Sequence, residues 1–336
     1  MVPEPAREGR AVDPEGGALA GAVNPPERAL VPGARVSVLI VSWGRGERLA
    51  QCLRAVRGAL PAAEVLVLDN GSAPPLVPEA GCRWLRAAEN LGYAAGNNRL
   101  FACATRPFIL LLNNDAILPS AEPVRTLLAF LEAHPRVAAA QASLRLPDGT
   151  MDACGENLTP FGLLHHRGYR CPPGAVARQP APVLAGKGAC LLLRREAIAA
   201  AGGLFRPDFF CYYEDIDLGH RLWLAGFEVW YVPTEPVLHD EGSTARLLGA
   251  RRIWRAYLSN MLASACTLWG PGLWLRRGLP FLCAIAFACV AKGVLPKRRA
   301  RPAPFARCVR EADFLARVTT RQPLRAYLAA AGKLFR

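Results

Sequence analysis

Three carboxylates fall within four residues at Glu214-Asp215-Ile216-Asp217, directly after the aromatic run Phe209-Phe210-Cys211-Tyr212-Tyr213. Leu218, Leu222 and Ala225 recur at helical spacing with Ile216 and Trp223 beside them, which predicts an amphipathic helix over 215–225. Acids in a first helical turn ordinarily cap it or complement its dipole. Several packed beside Phe and Tyr are costly unless paired or used, and an acid in an apolar-walled site can serve as a general base. A second set of polar residues follows apolar runs elsewhere: Ser42-Trp43, Asp69-Asn70-Gly71-Ser72, Asn90 and Asn113-Asn114-Asp115. Amides suit a base and a ribose, and Asp115 suits a metal. His239 closes another short apolar run and supplies the partner that a metal on Asp115 would need.

The elements that must position these groups read as alternating strands and helices. Strands are predicted over 36–41, 64–68, 83–85, 108–112 and 227–232, with helices over 46–59 and following the 89–98 stretch to about Thr105. A glycine-opened strand is expected over 185–193, where small residues let a substrate or backbone approach. The alternation implies an α/β doubly wound, mostly parallel sheet flanked by helices, with ligands beyond the carboxyl ends of the strands. The polar residues all fall at such ends, so they converge on one crevice. Residues 146–150 read as a hairpin and 151–182 as an irregular loop over the acceptor side.

Several chemistries are excluded. The first strand-to-helix turn offers only Gly44 and Gly46, not the G-x-G-x-x-G of a dinucleotide site. Lys187 lacks P-loop spacing, and the adjacent His165 and His166 would point opposite ways on a strand. The 11 cysteines hold no C-x-x-C pair, which suits reduced, packed thiols in a cytosolic compartment.

The chain has 336 residues, of which 52% are hydrophobic, enough for a full core and a second unit. Its net charge of +14 is uneven: residues 1–245 hold 23 Lys and Arg against 25 Asp and Glu, whereas residues 246–336 hold 18 against 2. A near-neutral domain with a basic tail points to an anionic surface as partner. The tail adds Trp254, Trp269 and Trp274 and an apolar run over 279–291, short for a membrane span. It reads as helices lying in the interface of an anionic membrane. No nucleic-acid-binding motif accompanies the basic residues, so nucleic acid is not expected as a partner. The expected organisation is a disordered leader over 1–34, a catalytic domain over 35–245 and a basic amphipathic extension over 246–336.

Seven blocks carry a resemblance: V-S-V-L-I-V-S-W, D-N-G-S, E-N-L-G-Y-A-A-G-N-N, L-L-L-N-N-D, G-K-G-A-C-L-L-L-R-R-E-A, F-F-C-Y-Y-E-D-I-D-L and H-D-E-G-S-T. In this order they resemble the family 2 inverting glycosyltransferases of GT-A fold, within them the bacterial rhamnosyltransferase-like branch. The resemblance implies that Asp69 contacts the nucleobase and that Ser42, Asn90, Gly92, Gly96, Asn97 and Asn114 shape the nucleotide pocket. It implies a divalent metal, Mg²⁺ or Mn²⁺, on Asp115 and His239, with Asp215 as general base and Glu214 orienting it or holding acceptor hydroxyls. Asn113 stands where the first Asp of the family's D-x-D stands, which removes one charge from that metal site.

The implied enzyme moves a sugar, such as the deoxyhexose rhamnose, from a nucleotide-diphosphate donor to a hydroxyl of a cell-envelope glycan or lipid-linked acceptor. It would act peripherally at the cytoplasmic face of the membrane. The competing reading is a nucleotide-sugar-binding scaffold or sensor without turnover, which donor hydrolysis would distinguish.

Overall fold

The computed structural model describes residues 31, 33–44, 46–176, 178–240, 248–297, 299 and 306–320. The expected leader therefore lies outside the described residues but for three positions, as do Glu241–Thr244 of the H-D-E-G-S-T block and residues 321–336.

The chain runs through β1 (Val36–Ser42), α1 (Gly46–Ala59), β2 (Glu64–Asn70), β3 (Arg83–Ala87), α2 (Gly92–Cys103) and β4 (Phe108–Leu112). A short β5 (Ala116–Ile117) and α3 (Glu122–Ala133) lead to β6 (Val137–Gln141) and β7 (Leu144–Arg145). Next come β8 (Met151–Ala153), β9 (Glu156–Leu158), β10 (Leu164–His166), β11 (Ala181–Pro182) and β12 (Cys190–Arg194). After α4 (Arg195–Ala200) and α5 (Glu214–Leu224), β13 (Glu228–Tyr231) and β14 (Val237–His239) complete the strands.

Eight strands form the main sheet in the order β11-β13-β6-β12-β4-β1-β2-β3. The most apolar runs, β1 and β4, lie side by side in parallel, as their burial on both faces requires. From β1 the chain steps outward to β2 and β3, then returns to β4 on the other side of β1. That reversal is the switch point at which such sheets bind ligands. Strand β12 runs antiparallel between β4 and β6, with Cys190 opposite Leu112. Its beginning therefore meets the end of β4, and residues 186–189 enter the crevice instead of extending the strand as expected. A side chain at Gly186 would crowd this turn, since its Cβ would lie 2.9 Å from Gln141 Cβ and 2.6 Å from Leu191 Cδ1.

Alternate strand residues feed two cores. Val38 and Ile40 pack with Leu49 and Leu53 of α1 and Leu127 of α3, while Leu39 faces the opposite layer. In that second layer, α2 sits close to the sheet because Gly96 has only hydrogen where a Cβ would lie 3.0 Å from both Val41 methyls.

Two expectations are corrected. The segment 151–182 is not an open loop: β7 and β8 pair antiparallel, β9 and β10 form a hairpin, and Met151, Asp152, Glu156 and Leu158 are buried. Its strands are too short to show a period of two in the sequence. The boundary expected at 245 falls inside one packed body. Helix α6 (Ala250–Leu268) contributes Leu258, Met261, Ala265 and Leu268 to the core that holds Leu218 and Leu222. Phe314 of α8 (Glu311–Val318) stacks on Trp223 at 5.2 Å and 14°. Helix α5 is buried nearly all round, its charged residues included, because the sheet covers one side and the C-terminal helices the other.

Between them lies α7 (Pro271–Lys292), at 22 residues and a mean hydropathy of 1.6 the one helix among the described residues long and apolar enough to cross a membrane. The 13-residue apolar run seen in the sequence is thus only part of a longer helix. Leu273, Phe281, Ile285 and Ala288 pack inward, whereas Leu275, Leu279 and Val290 stay 89%, 77% and 82% exposed.

Helix α5 owes its depth to Gly219, where a Cβ would sit 2.4 Å from the Leu184 carbonyl oxygen and 2.6 Å from Ala185 Cβ. Gly219→Ala should destabilise by about 1–3 kcal/mol through overpacking, despite roughly 1 kcal/mol of better helix propensity. Thermal denaturation reads this as a lower Tm; an unchanged Tm would show that α5 does not need the close approach.

Candidate active site

Three strand ends carry the nucleotide side of the crevice. Ser42 ends β1, and its hydroxyl oxygen accepts a hydrogen bond from Asn114 Nδ2 at 2.8 Å. Asp69, near the end of β2, is 3% exposed. Its Oδ1 accepts from the Ser72 amide at 2.9 Å and its Oδ2 from the Leu76 amide at 3.1 Å, with Arg86 Nη1 3.4 Å from Oδ2. The carboxylate thus holds the 71–76 loop in shape, and its remaining lone pairs are what it can offer a ligand.

Asn70, which the sequence did not mark as a site residue, is the clamp of this region. Its Nδ2 donates to Asn90 Oδ1 at 3.0 Å and to the Gly92 carbonyl at 3.1 Å, while its Oδ1 accepts from the Leu91 amide. Asn90 Oδ1 also takes the Gly92 amide at 2.9 Å. Gly92 has φ +84, and a Cβ there would lie 2.1 Å from the Phe210 carbonyl oxygen, so only glycine fits. That same carbonyl accepts from the Tyr93 amide at 2.7 Å, which fastens this loop to the acid-bearing segment. One turn on, Asn97 is 1% exposed; its Nδ2 donates to the Tyr93 carbonyl, and its Oδ1 accepts no hydrogen bond.

The second pole gathers where β4, β8 and β14 end. His239 Nε2 lies 3.4 Å from Asp115 Oδ1, and His239 Nδ1 lies 2.7 Å from Asp152 Oδ2. Asp152 Oδ1 accepts from Lys187 Nζ at 2.7 Å. Burial disfavours the charged form of His239, but hydrogen bonds to Asp115 and Asp152 outweigh it and raise the ring to about 9. Burial likewise opposes ionisation of Asp152, and Lys187 and His239 overcome it to hold that carboxyl at about 2. The Asn113 amide nitrogen is 3.1 Å from His239 Nε2. A protonated ring requires the amide oxygen in that place, and the two carboxylates decide for the protonated ring.

This donor set fits a divalent cation. Asp115 offers a carboxylate, and Nε2 is freed when a cation replaces its proton. Asp152 on Nδ1 is the carboxylate–histidine support typical of metal-bound imidazoles. Among the described residues no three His, Cys, Asp or Glu side chains are grouped to hold a metal by themselves. Oxygens from a substrate would complete the coordination. A cavity of about 270 Å³ opens beside Asp115, lined also by Arg48, Gln51 and Asp240.

The third pole is the acid pair. Tyr212 and Tyr213 both adopt left-handed backbone, with φ of 65 and 72. For non-glycine residues this costs about 1–3 kcal/mol each and persists only where the surroundings enforce it. The enforcing group is Asn260 of α6, fully buried, whose Nδ2 donates to the Cys211 carbonyl at 3.1 Å and the Tyr212 carbonyl at 2.7 Å.

The strained turn delivers Glu214 and Asp215 to the crevice at the start of α5. Asp215 Oδ1 accepts from the Ile216 amide at 2.9 Å and Oδ2 from the Gly188 amide at 3.2 Å. Burial first, then the Glu156 carboxylate, push Asp215 up to about 6. Glu214 is raised well above the carboxylate range by burial and by Asp215, and its buried Oε2 makes no hydrogen bond. The pair thus divides into one ionisable base and one neutral acid. Asp217 is sealed away, its Oδ2 on Arg221 Nε at 2.8 Å and its Oδ1 on the Ser264 hydroxyl at 3.0 Å.

The poles meet around Tyr93, whose hydroxyl donates to the Gly188 carbonyl at 2.9 Å. Burial raises this phenol well above its usual range, and Glu214, Asp215 and Asp115 all add to the rise. Asp152, Lys187, Glu156, Asn70 and Asn260 are the members that sequence reasoning missed. Lys187 lacks phosphate-loop spacing and Asn70 stands in the strand-end D-N-G-S set without a role of its own; the others stand in stretches without a recognisable spacing.

Residues 32–267 match the family described as "Glycosyltransferase like family 2". The chain belongs to that family. It is also 30% identical, over 62% of its own length and 77% of the relative, to the N-acetylglucosaminyl-diphospho-decaprenol L-rhamnosyltransferase of Mycobacterium tuberculosis. Two solved structures share the fold. The mannosyltransferase PcManGT of Pyrobaculum calidifontis, in complex with GDP-Man and Mn²⁺, has a TM-score of 0.52 at 17% identity, covering 91% of this chain and 87% of that one. GalNAc-T7, with UDP, GalNAc and Mn²⁺, has a TM-score of 0.55 at 15% identity, covering 78% of this chain and 51% of that one. The protein is a glycosyltransferase of rhamnosyltransferase-like type on a GT-A fold. The family match runs to residue 267, through the α6 residues that clamp the acid segment, in keeping with their place in the core.

A family 2 glycosyltransferase needs one carboxylate to take the acceptor proton, and Asp215 is the ionisable acid facing the crevice. Asp215→Asn should lower kcat by roughly 10²–10⁴ with donor binding retained. With Asp215 as that base, only its unprotonated form would act, and kcat/KM should fall about tenfold per pH unit below pH 6. Steady-state kinetics across pH 5–8 checks both; a flat profile or an active Asn variant removes Asp215 from the role.

Proposed function

We propose that the protein transfers a sugar, a deoxyhexose of the rhamnose kind, from a nucleotide-diphosphate donor to a hydroxyl of a lipid-linked acceptor, with inversion. The observation that carries this reading is the facing of two poles across Tyr93 and Gly188. A carboxylate–histidine pair suited to a cation stands on one side, and a base beside a neutral acid on the other. The relative from Mycobacterium tuberculosis carries a lipid-diphosphate acceptor and a rhamnosyl group in its name, which supports the choice of substrates.

In this reading the Asn70–Asn90 clamp shapes the nucleotide pocket, with Asp69 toward the base and Ser42, Asn114, Gly92 and Asn97 lining its floor; Gly96, expected there, instead packs α2 against Val41 and Leu68 of the sheet. Asn97 Oδ1, buried and without a hydrogen bond, is an acceptor ready for a donor hydroxyl. Asp115 and His239 would hold a divalent cation, Mg²⁺ or Mn²⁺, which when bound neutralises the charge growing on the leaving diphosphate. Asp215 takes the proton of the attacking hydroxyl as that hydroxyl reaches the far face of the anomeric carbon. Glu214, neutral, donates a hydrogen bond to an acceptor hydroxyl or to Asp215 and so orients the pair. Lys187 balances Asp152, which keeps His239 turned toward Asp115.

The enzyme works at an anionic membrane surface, at its cytoplasmic face. The exposed apolar side of α7 and the 18 basic residues beyond position 245 support this placement.

Purified protein offered a panel of nucleotide sugars should slowly hydrolyse one donor in the absence of acceptor, and excess chelator should abolish that turnover. Full activity in chelator would rule out the cation. Asp152→Asn should raise the metal concentration needed for half-maximal turnover by roughly 10–100-fold, as loss of such a support does elsewhere. An unchanged metal requirement would make Asp152 merely structural.

A further inference from the structure

Beside the acid segment lies a basic groove that the transfer chemistry above does not use. It has a volume of about 770 Å³ and is lined by Arg251, Arg252, Arg255 and Lys297, with Leu248, Gly249 and Ala250 as its rim. Among the described residues no acid lines it and none of the four cations joins an ion pair. The first two arginines, and the backbone at Lys297, are nevertheless held in place. The Arg252 guanidinium lies 4.6 Å over the ring of Phe210, the residue whose carbonyl is fastened to Tyr93. Arg251 Nε donates to the Gly293 carbonyl at 3.1 Å, just past the end of α7. The Lys297 amide donates to the Ser259 hydroxyl at 2.7 Å. Arg255 Nε is buried and donates no hydrogen bond, which is costly unless a ligand meets it.

The groove therefore has two neighbours. On one side is the segment that carries Glu214 and Asp215. On the other is the end of α7, where Val290 and Leu295 are 82% and 76% exposed and continue the stripe of Leu279 and Leu275. Unpaired arginines beside a water-exposed apolar stripe fit an amphiphile with a multiply charged phosphate head and a hydrocarbon chain.

We propose that this groove binds the diphosphate of a polyprenyl-type acceptor lipid, with the chain running along the exposed face of α7 toward the bilayer. The proposal rests on the transferase reading and supplies its acceptor subsite. Held in this way, the diphosphate sets the first sugar of the acceptor against Phe210 and the acid pair, so the cations choose the lipid while Asp215 handles its hydroxyl.

Farnesyl diphosphate serves as the probe, with inorganic pyrophosphate and farnesol as its two halves, titrated calorimetrically into the full chain. EDTA removes the cation that the donor site would use and so takes that site out of the measurement. Farnesyl diphosphate should bind at least roughly tenfold more tightly than either half, since both parts of the site contribute. Arg251→Glu with Lys297→Glu should weaken it by roughly tenfold or more, while Arg251→Lys with its charge retained stays near wild type. Leu279→Ser with Val290→Ser should bring farnesyl diphosphate down to the level of pyrophosphate and leave pyrophosphate itself unchanged.

Wild-type affinity in the double Glu variant would overturn the proposal. So would equal affinity for pyrophosphate and farnesyl diphosphate, which marks a free-phosphate site. Competition by phosphatidylglycerol vesicles at matched phosphate would mark a general anionic-lipid surface instead. The double Glu variant should melt with the wild type; the Lys variant keeps the test decisive if it does not. Donor hydrolysis, read separately, reports on the transferase reading and not on this groove.

Discussion

The backbone contact between Gly92 and Phe210 is the constraint on which the site depends. The Phe210 carbonyl stands where any side chain at 92 would be, and it takes the Tyr93 amide at 2.7 Å. One atom thus joins the loop that ends β3 to the segment that begins α5. Those two stretches lie more than a hundred residues apart in the chain, and each carries half of the chemistry. With the junction closed, the Tyr93 hydroxyl reaches the Gly188 carbonyl, and the Gly188 amide reaches Asp215. A β-carbon at position 92 would push the Asn70–Asn90 loop away from the segment that carries Glu214 and Asp215 before it altered either one.

Holding the acids there is expensive, and the C-terminal helices offset the cost. Two left-handed tyrosines and a neutral buried glutamate are all unfavourable on their own. Asn260 ties down the turn, Ser264 satisfies Asp217, and Tyr257 packs edge-on against Tyr213 at 5.7 Å. All three lie on α6. The buried Asp217–Arg221 pair is weak evidence for stability by itself, because desolvation of both charges opposes their attraction. Its value is positional: Arg221 also donates to the carbonyls of Ala201, Gly203 and Leu204, so it anchors α5 to the loop behind it.

The long apolar strands were legible in the sequence because burial on both faces leaves an unbroken hydrophobic run, and 108–112 is a strand to the residue. Helix α1 was legible for the complementary reason that one face is buried and the other is not. The polar residues at strand ends were legible as a set, since apolar runs that stop at Asn or Asp leave few alternatives. Asp152 was not legible. It sits on a three-residue strand after a turn, and its partners Lys187 and His239 are 35 and 87 residues away. No local spacing encodes such a contact. The role of α6 was hidden for another reason: arginines crowd its first turn, so a core helix reads as a basic surface one.

The distribution of charge then acquires a structural meaning. In the nearly neutral body buried charges are paired: Asp152 with Lys187 and His239, Asp217 with Arg221, and Glu228 with Arg136 and with Arg317 of α8. Groups paired in this way contribute little field at a distance. Among the described residues, four of the excess cations, Arg251, Arg252, Arg255 and Lys297, stand together where α6 begins and just past the end of α7, near exposed leucine and valine. A uniform basic coat would attract any polyanion. Concentrating the charge beside an apolar stripe favours ligands that carry both characters, because each part of the site alone binds weakly. The same placement puts that surface next to Phe210, one turn of chain from the base. On the proposed reading, selection of the acceptor and activation of its hydroxyl would fall on neighbouring parts of one segment.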